Sequence, residues 1–381
     1  MKKIKIGIVM QSPDIGGAET YLVSLIKQFK KEGNSVLLAT NRGKFFDYTN
    51  DLGIKRFSLP FILDINGNLR GLIKSTALLP FGLTYYSWLL RQFKKEKVDV
   101  ILLTSFTEKL VVTFLSIFFR IPVVWIEYGP LSVVFKRNFY IPKLIYIFIA
   151  IFTKKIIVPS ENTLKSLKKD AFVRSSKLIL IPCGVESRIK SKRPIPEELR
   201  EKFVVGSISR LTREKGQDYL IRAIPKVLEK IPNSYFIIIG SGPDKDYFQN
   251  LVKELRLQKN VIMPGFVEDI GFYYSLFDVF VFPTVWDLEG FGLVIPEAMQ
   301  YKIPIIGTNH GPVPEIVDNN INGIIVKKRS EDDIASAIIR LGLDEDLRKK
   351  MGENGFKKTQ ALYNIEKNSS KILEVFYEAR P

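Results

Sequence analysis

From Ile4 onward, short apolar runs bounded by turn residues alternate with stretches whose apolar residues recur at helical spacing. A short run without polar alternation suits a strand buried on both faces, and strands separated by helices pair in parallel. The pattern predicts strands at Ile4–Val9, Ser35–Thr40, Val98–Leu103, Val123–Glu127, Lys155–Val158 and Leu178–Ile181. Leu22, Leu25, Ile26 and Phe29 outline a first helix that Gly33 closes. Over 184–201 the apolar signal lapses into a charged, proline-containing stretch, read as a linker. A second series then predicts strands at Phe203–Ser209, Tyr235–Ile239, Val261–Met263, Val279–Phe282, Ile305–Gly307 and Ile324–Val326. The expected fold is α/β, with two doubly wound parallel-sheet domains, 1–183 and 202–363, facing across a cleft. Ligands of such sheets sit beyond the carboxyl ends of the strands.

Composition narrows the chemistry. The 381 residues hold one cysteine, Cys183, and one histidine, His310, which removes a disulfide framework and histidine- or cysteine-built metal sites. Lys and Arg outnumber Asp and Glu by 33 to 15 over residues 1–200 and stand at 24 to 25 over the rest. All of the excess positive charge is therefore in the first half, where phosphate backbones or an anionic membrane surface would reward it. Segments 110–121 and 139–152 are very apolar, but both fall short of the roughly 18–20 residues that span a bilayer. They read as buried helices on a sheet, and Lys136, Arg137, Lys154 and Lys155 keep an interfacial role open. The opening MKKIKIGIVMQSPD reads as a first strand rather than a signal peptide, and the expected location is cytoplasmic.

The most informative segment is Trp286–Glu315. Glu289 and Glu297 are separated by seven residues, and Gly290 and Gly292 follow the first of them. Glycines there let backbone N–H groups approach an anion. A helix starting near Phe291 would aim its N-terminus at that anion and put Glu297 roughly 7–8 Å up the axis from Gly292. That is about the span from a diphosphate to a ribose. Arg210 and Lys215 lie on one loop after a predicted strand, placed to neutralise a diphosphate leaving group. Gly16-Gly17 stands where the first strand meets the first helix, a weaker anion loop, and Glu19 reads as a first-turn carboxylate.

With Gly16-Gly17-Ala18-Glu19, Val158-Pro159-Ser160, Ile181–Val185, Arg210 with Lys215-Gly216, and Gly240–Pro243, the Glu289–Glu297 segment resembles the E-x7-E signature of retaining glycosyltransferases, family 4, of the GT-B architecture. The resemblance runs over nearly the whole chain. It implies two Rossmann-like domains and a final helix, 364–381, crossing back to the first. It implies that Arg210 and Lys215 stabilise the leaving diphosphate, and that Glu289 faces the transferred sugar. Phe291, Gly292 and Leu293 would contact sugar or phosphate through backbone N–H groups, Glu297 would bind the ribose, and Gly16 and Gly17 would approach the donor. No protein nucleophile is implied.

The chain departs from that family at Tyr128-Gly129, where many relatives carry histidine before glycine. Tyr128 is a candidate sugar contact, and Glu127 beside it a candidate acceptor-side group. His310 reads as a bystander and Cys183 as a small buried residue. No D-x-D motif ends a predicted strand, so neither a metal nor another cofactor is expected. The reading is transfer of a sugar from a nucleoside diphosphate, UDP or GDP, to a glycan or lipid-linked acceptor in surface-polysaccharide or glycolipid synthesis. The enzyme would be peripheral on the inner face of the membrane. The alternatives are a nucleotide-sugar epimerase or hydrolase of the same fold, a catalytically silent scaffold, and a basic nucleic-acid-binding protein. No nucleic-acid signature supports the last.

Overall fold

The computed structural model describes residues 3–64, 69–136, 140–187, 191 and 193–380. The chain forms two compact units, Met1–Gly184 with Ile365–Pro381, and Val185–Asn364. Arg137, and residues 188–190 and 192 of the expected linker, lie outside the described residues.

The first unit runs β1 (Lys5–Val9), α1 (Gly17–Lys31), β2 (Ser35–Asn41), α2 (Lys44–Tyr48), β3 (Lys55–Leu59), α3 (Leu69–Lys95), β4 (Val100–Leu103) and α4 (Phe106–Phe119). It continues through β5 (Val123–Ile126), α5 (Ser132–Phe135), α6 (Ile141–Ala150), β6 (Lys155–Val158), α7 (Glu161–Asp170) and β7 (Leu178–Leu180). The seven strands are parallel in the order β3-β2-β1-β4-β5-β6-β7. β4 and β5 are buried at every position, so neither face alternates with polar residues. Alternate strand residues, among them Ile101, Leu103, Val123, Trp125 and Ile156, pack with α3, α4 and α6 into one core.

Several elements of this unit have no counterpart in the sequence pattern, and two of them show why. β3 (KRFSL) is a part-exposed edge strand without an apolar run. The long α3 contains Pro80, which reads as a helix breaker.

The second unit runs β8 (Phe203–Ile208), α8 (Gln217–Lys230), β9 (Ser234–Ile239), α9 (Lys245–Glu254), β10 (Val261–Gly265), α10 (Ile270–Leu276) and β11 (Val279–Phe282). It continues through α11 (Val294–Gln300), β12 (Ile305–Thr308), α12 (Val313–Ile316), β13 (Gly323–Val326), α13 (Glu331–Leu343) and α14 (Glu345–Leu362). Its six parallel strands lie in the order β10-β9-β8-β11-β12-β13, over a core that includes Val205, Leu220, Ile224, Phe236, Val281 and Ile338. Strand order reverses between β8 and β11, the switch point where crossovers diverge and leave a crevice.

The last helix, α15 (Ile365–Ala379), belongs to the first unit. Phe376 meets Phe29 of α1 edge to face at 5.7 Å, Lys31 and Glu366 pair at 2.5 Å, and Asn368 donates to the Pro182 carbonyl at 3.0 Å. Among the described residues no helix is long and apolar enough to cross a membrane.

Candidate functional site

Lys215 and Glu289 meet at the β8–β11 switch point of the second unit, on the loops that follow those strands. Arg213–Lys215 forms a short 3-10 turn that ends at Gly216, whose φ of +72° is a left-handed conformation. A Cβ there would stand 2.1 Å from the Pro283 carbonyl oxygen, so the position admits only glycine. The close approach sets Lys215 against the end of β11. Its Nζ lies 2.6 Å from Glu289 Oε2 and 4.4 Å from the centroid of the Trp286 ring. Thr284 Oγ1 donates to the same carboxylate oxygen at 3.2 Å. Thr284 is itself anchored, its carbonyl accepting from Thr308 Oγ1 at 2.6 Å, and the Val285 N–H donates to the Glu214 carbonyl at 2.9 Å. Loops after three adjacent strands are thus stapled around one ion pair, whose side chains are only 14% and 7% exposed.

Arg210 stands at the same strand end with an exposed side chain, and its carbonyl accepts from the Thr212 N–H at 2.9 Å. The structure does not bring its guanidinium onto Glu289. Gly311, on the loop after β12, faces Glu289, since a Cβ there would meet Glu289 Cβ at 3.5 Å. His310 beside it has Nε2 buried, 3.2 Å from Asp287 Oδ1 but not aligned for a hydrogen bond.

The helix expected near Phe291 begins later, at Val294. Gly292 has φ +82°, which a right-handed helix cannot hold. Gly290, Phe291, Gly292 and Leu293 therefore form a turn ahead of α11, and Glu297 falls in the first helical turn rather than well up the axis. Phe291 is buried against Tyr363 at 5.6 Å. Glu297 Oε2 accepts from Tyr274 OH at 2.8 Å, and the Tyr274 ring stacks on Tyr301 at 5.2 Å. Burial raises the Glu297 carboxyl above the usual range, the Tyr274 hydroxyl opposes that, and Glu186 adds to it. Thr284, Trp286 and Tyr274 had no motif to announce them. Their only sequence signal is that the first two border Glu289.

In the first unit, Gly16 and Gly17 are exposed at the start of α1. Glu19 Oε2 accepts from the Gly16 N–H at 2.9 Å, which makes Glu19 a helix-start carboxylate. The Tyr128 hydroxyl is buried with no hydrogen-bond partner among the described residues, and its ring meets Tyr21 edge to face at 6.1 Å. Burial pushes its pKa well above that of an ordinary phenol.

Glu127, the candidate acceptor-side group, is buried and paired within the first unit. Its Oε2 lies 2.9 Å from Lys109 Nζ and its Oε1 accepts from Tyr146 OH at 2.8 Å, with both charged side chains under 5% exposed. Each oxygen thus already has a partner inside the first unit. No group of three or more His, Cys, Asp or Glu among the described residues could hold a metal ion.

Two family models match, Glycosyltransferase Family 4 over residues 15–188 and Glycosyl transferases group 1 over 188–358. The chain is 31% identical over 199 residues to a GDP-mannose-dependent alpha-(1-6)-phosphatidylinositol monomannoside mannosyltransferase of Mycobacterium tuberculosis, covering 49% of this chain. That match spans about half, 52%, of the relative's length. It is 25% identical over 99% of its length to the UDP-Gal:alpha-D-GlcNAc-diphosphoundecaprenol alpha-1,3-galactosyltransferase of Escherichia coli, covering 97% of that protein. Among solved structures, Anabaena HepE in complex with UDP superimposes with a TM-score of 0.81 at 20% identity, covering 98% of this chain and all of that one. A glycosyltransferase from Rickettsia africae gives 0.83 at 21%, covering 100% and 99%.

Proposed function

The chain belongs to glycosyltransferase family 4, with the GT-B fold, and from that premise we propose a retaining transfer of a sugar from a nucleoside diphosphate to a glycan or lipid-linked acceptor. The observation that carries the reading is the Lys215–Glu289 pair at the switch point, flanked by the exposed Arg210 and by Glu297 in the first turn of α11. In the reaction, the bond from the anomeric carbon to the diphosphate oxygen breaks, and the acceptor oxygen bonds to that carbon on the same face. The acceptor proton leaves with the diphosphate. Arg210 and Lys215 stabilise the charge that develops on the departing phosphates. Glu289 accepts from sugar hydroxyls, Glu297 from the ribose, and N–H groups of Phe291, Gly292 and Leu293 meet sugar or phosphate. The two basic side chains supply the charge neutralisation, so the mechanism calls for no metal.

The basic first half and relatives named for phosphatidylinositol and diphosphoundecaprenol acceptors support an acceptor held at the inner face of a membrane. The decisive experiment is calorimetric titration with UDP- and GDP-sugars, followed by NMR of the product's anomeric configuration. Binding of one nucleotide series and a retained anomer are the expected results. Failure of both series to bind would overturn the reading, as would donor turnover that no acceptor increases.

A further inference from the structure

One face of the first unit carries apolar side chains that no described residue covers. α6 and the two residues after it direct Ile141, Leu144, Ile145, Phe148, Ile151 and Phe152 outward, each 38–65% exposed. Their spacing of three and four residues is one stripe of the helix, while Pro142, Tyr146, Ile149 and Ala150 fill the core from the other side. Apart from Lys143 the helix is apolar on both its inward and outward sides, the pattern of a helix with hydrophobic surroundings beyond the core. α4 packs beside α6 and extends the face with Phe114, Ile117 and Phe118, the last 70% exposed. Phe114–Phe118 and Phe148–Phe152 form edge-to-face pairs at 5.7 and 5.5 Å. A continuous exposed apolar surface of this kind marks a docking site.

Charge identifies the occupant. α3, α4 and α6 together contain a single acid, Glu108, and it is buried. From Tyr128 to Ser160 the sequence has no Asp or Glu at all. Arg120, Lys136 and Lys154 are exposed around the stripe, and Lys143 Nζ stands 5.2 Å from the ring of exposed Phe172. A second copy docking through the same face would bring these cations against their equivalents. Anionic headgroups above an acyl boundary match both the charge and the apolar stripe.

We infer that the α4–α6 face seats the first unit on an anionic phospholipid bilayer, with α6 lying lengthwise in the headgroup–acyl boundary. At ten residues α6 is too short to cross. The inference deepens the proposal of a membrane-held acceptor and rests on it for its purpose, although the docking itself requires no acceptor.

The test is co-sedimentation of the full chain with vesicles of phosphatidylcholine alone and of equal parts phosphatidylglycerol and phosphatidylcholine. Binding to the anionic vesicles should be at least about tenfold stronger and should weaken as salt is raised. The double variant Leu144→Glu/Phe148→Glu alters exposed positions only and should lose about tenfold or more of that binding. Lys136→Glu/Lys154→Glu should lose a similar factor and flatten the salt dependence, and Leu343→Glu in the second unit should change nothing. No sedimentation of the wild-type chain at low salt, or undiminished binding by the first double variant, would overturn the inference. So would a wild-type dimer by light scattering that this variant dissolves without any vesicle affinity, because the face would then join two copies. Nucleotide-sugar titration of the same proteins separates the two proposals. Vesicle binding without donor binding sinks the transferase mechanism alone, and the converse sinks the docking alone.

Discussion

Lys215 Nζ and Glu289 Oε2 are 2.6 Å apart across 74 residues of sequence, under the face of Trp286. The cation assigned to the diphosphate and the carboxylate assigned to the sugar are thus partners of each other. The pair sits where little water reaches, so each group is the other's nearest charged partner. Substrate hydroxyls and phosphate oxygens would enter a site whose charges are already oriented.

Lys215→Ala should therefore do two things. Stability should fall by roughly 2–4 kcal/mol, because Glu289 is left as a nearly buried, uncompensated charge. Turnover should fall by about 10²–10³-fold through loss of leaving-group stabilisation. Adding Glu289→Ala should restore part of the stability and none of the activity. Thermal unfolding and steady-state kinetics of the two variants check both halves.

Gly216→Ala should be severe for a residue that touches no substrate. The added Cβ would lie 2.1 Å from the Pro283 carbonyl oxygen at a φ of +72°. Strain of roughly 1–3 kcal/mol is expected. Because the turn sets Lys215, turnover should drop along with the midpoint of thermal unfolding. An alanine variant with unchanged activity would show that the turn does not place the lysine.

Glu297→Gln separates binding from stability. Burial raises the Glu297 carboxyl pKa in the folded chain, so the folded state favours its protonated form. The stability linked to that protonation is complete below the unfolded pKa and is lost as pH rises through the folded value. The amide carries no charge and still offers Tyr274 an acceptor. At pH 7–8 the variant should melt roughly 1–4 °C higher than wild type and bind nucleotide about tenfold or more weakly. Calorimetry and melting curves at the same pH would detect the opposite signs.

Glu108 makes a pH prediction for the first unit. It is fully buried, with Oε1 accepting from Tyr86 OH at 3.1 Å and Oε2 without a partner among the described residues. Burial pushes its carboxyl up to about 7, against the Tyr86 hydroxyl and Lys109, which hold it down. With the folded pKa above the unfolded one, the stability it contributes is complete below about 4.5 and disappears as pH climbs through about 7. Glu108→Gln should be close to neutral at pH 4.5 and stabilising by a few kcal/mol at pH 8. A melting difference that does not grow between those values would refute it.

The local pattern determined much of this molecule. Runs such as Val279–Phe282 and Val123–Ile126 lie in strands buried on both faces, so their apolar continuity is written in adjacent residues. The same holds for the order of the motifs from Gly16 to Glu297, and hence for the fold and the family. Elements that break the local rule were hidden. α3 runs through Pro80, and β3 is a basic edge strand with nothing to bury on its outer side. Contacts between distant residues were hidden as well. Nothing near Glu127 announces that Lys109 and Tyr146 occupy both its oxygens, and nothing near Glu289 announces Lys215. The outward stripe of α6 is apolar in sequence just like its inward one, and only the packing of the core decides which of the two is left uncovered. Periodicity reports what each residue requires of its surroundings, and tertiary packing alone selects which distant group supplies it.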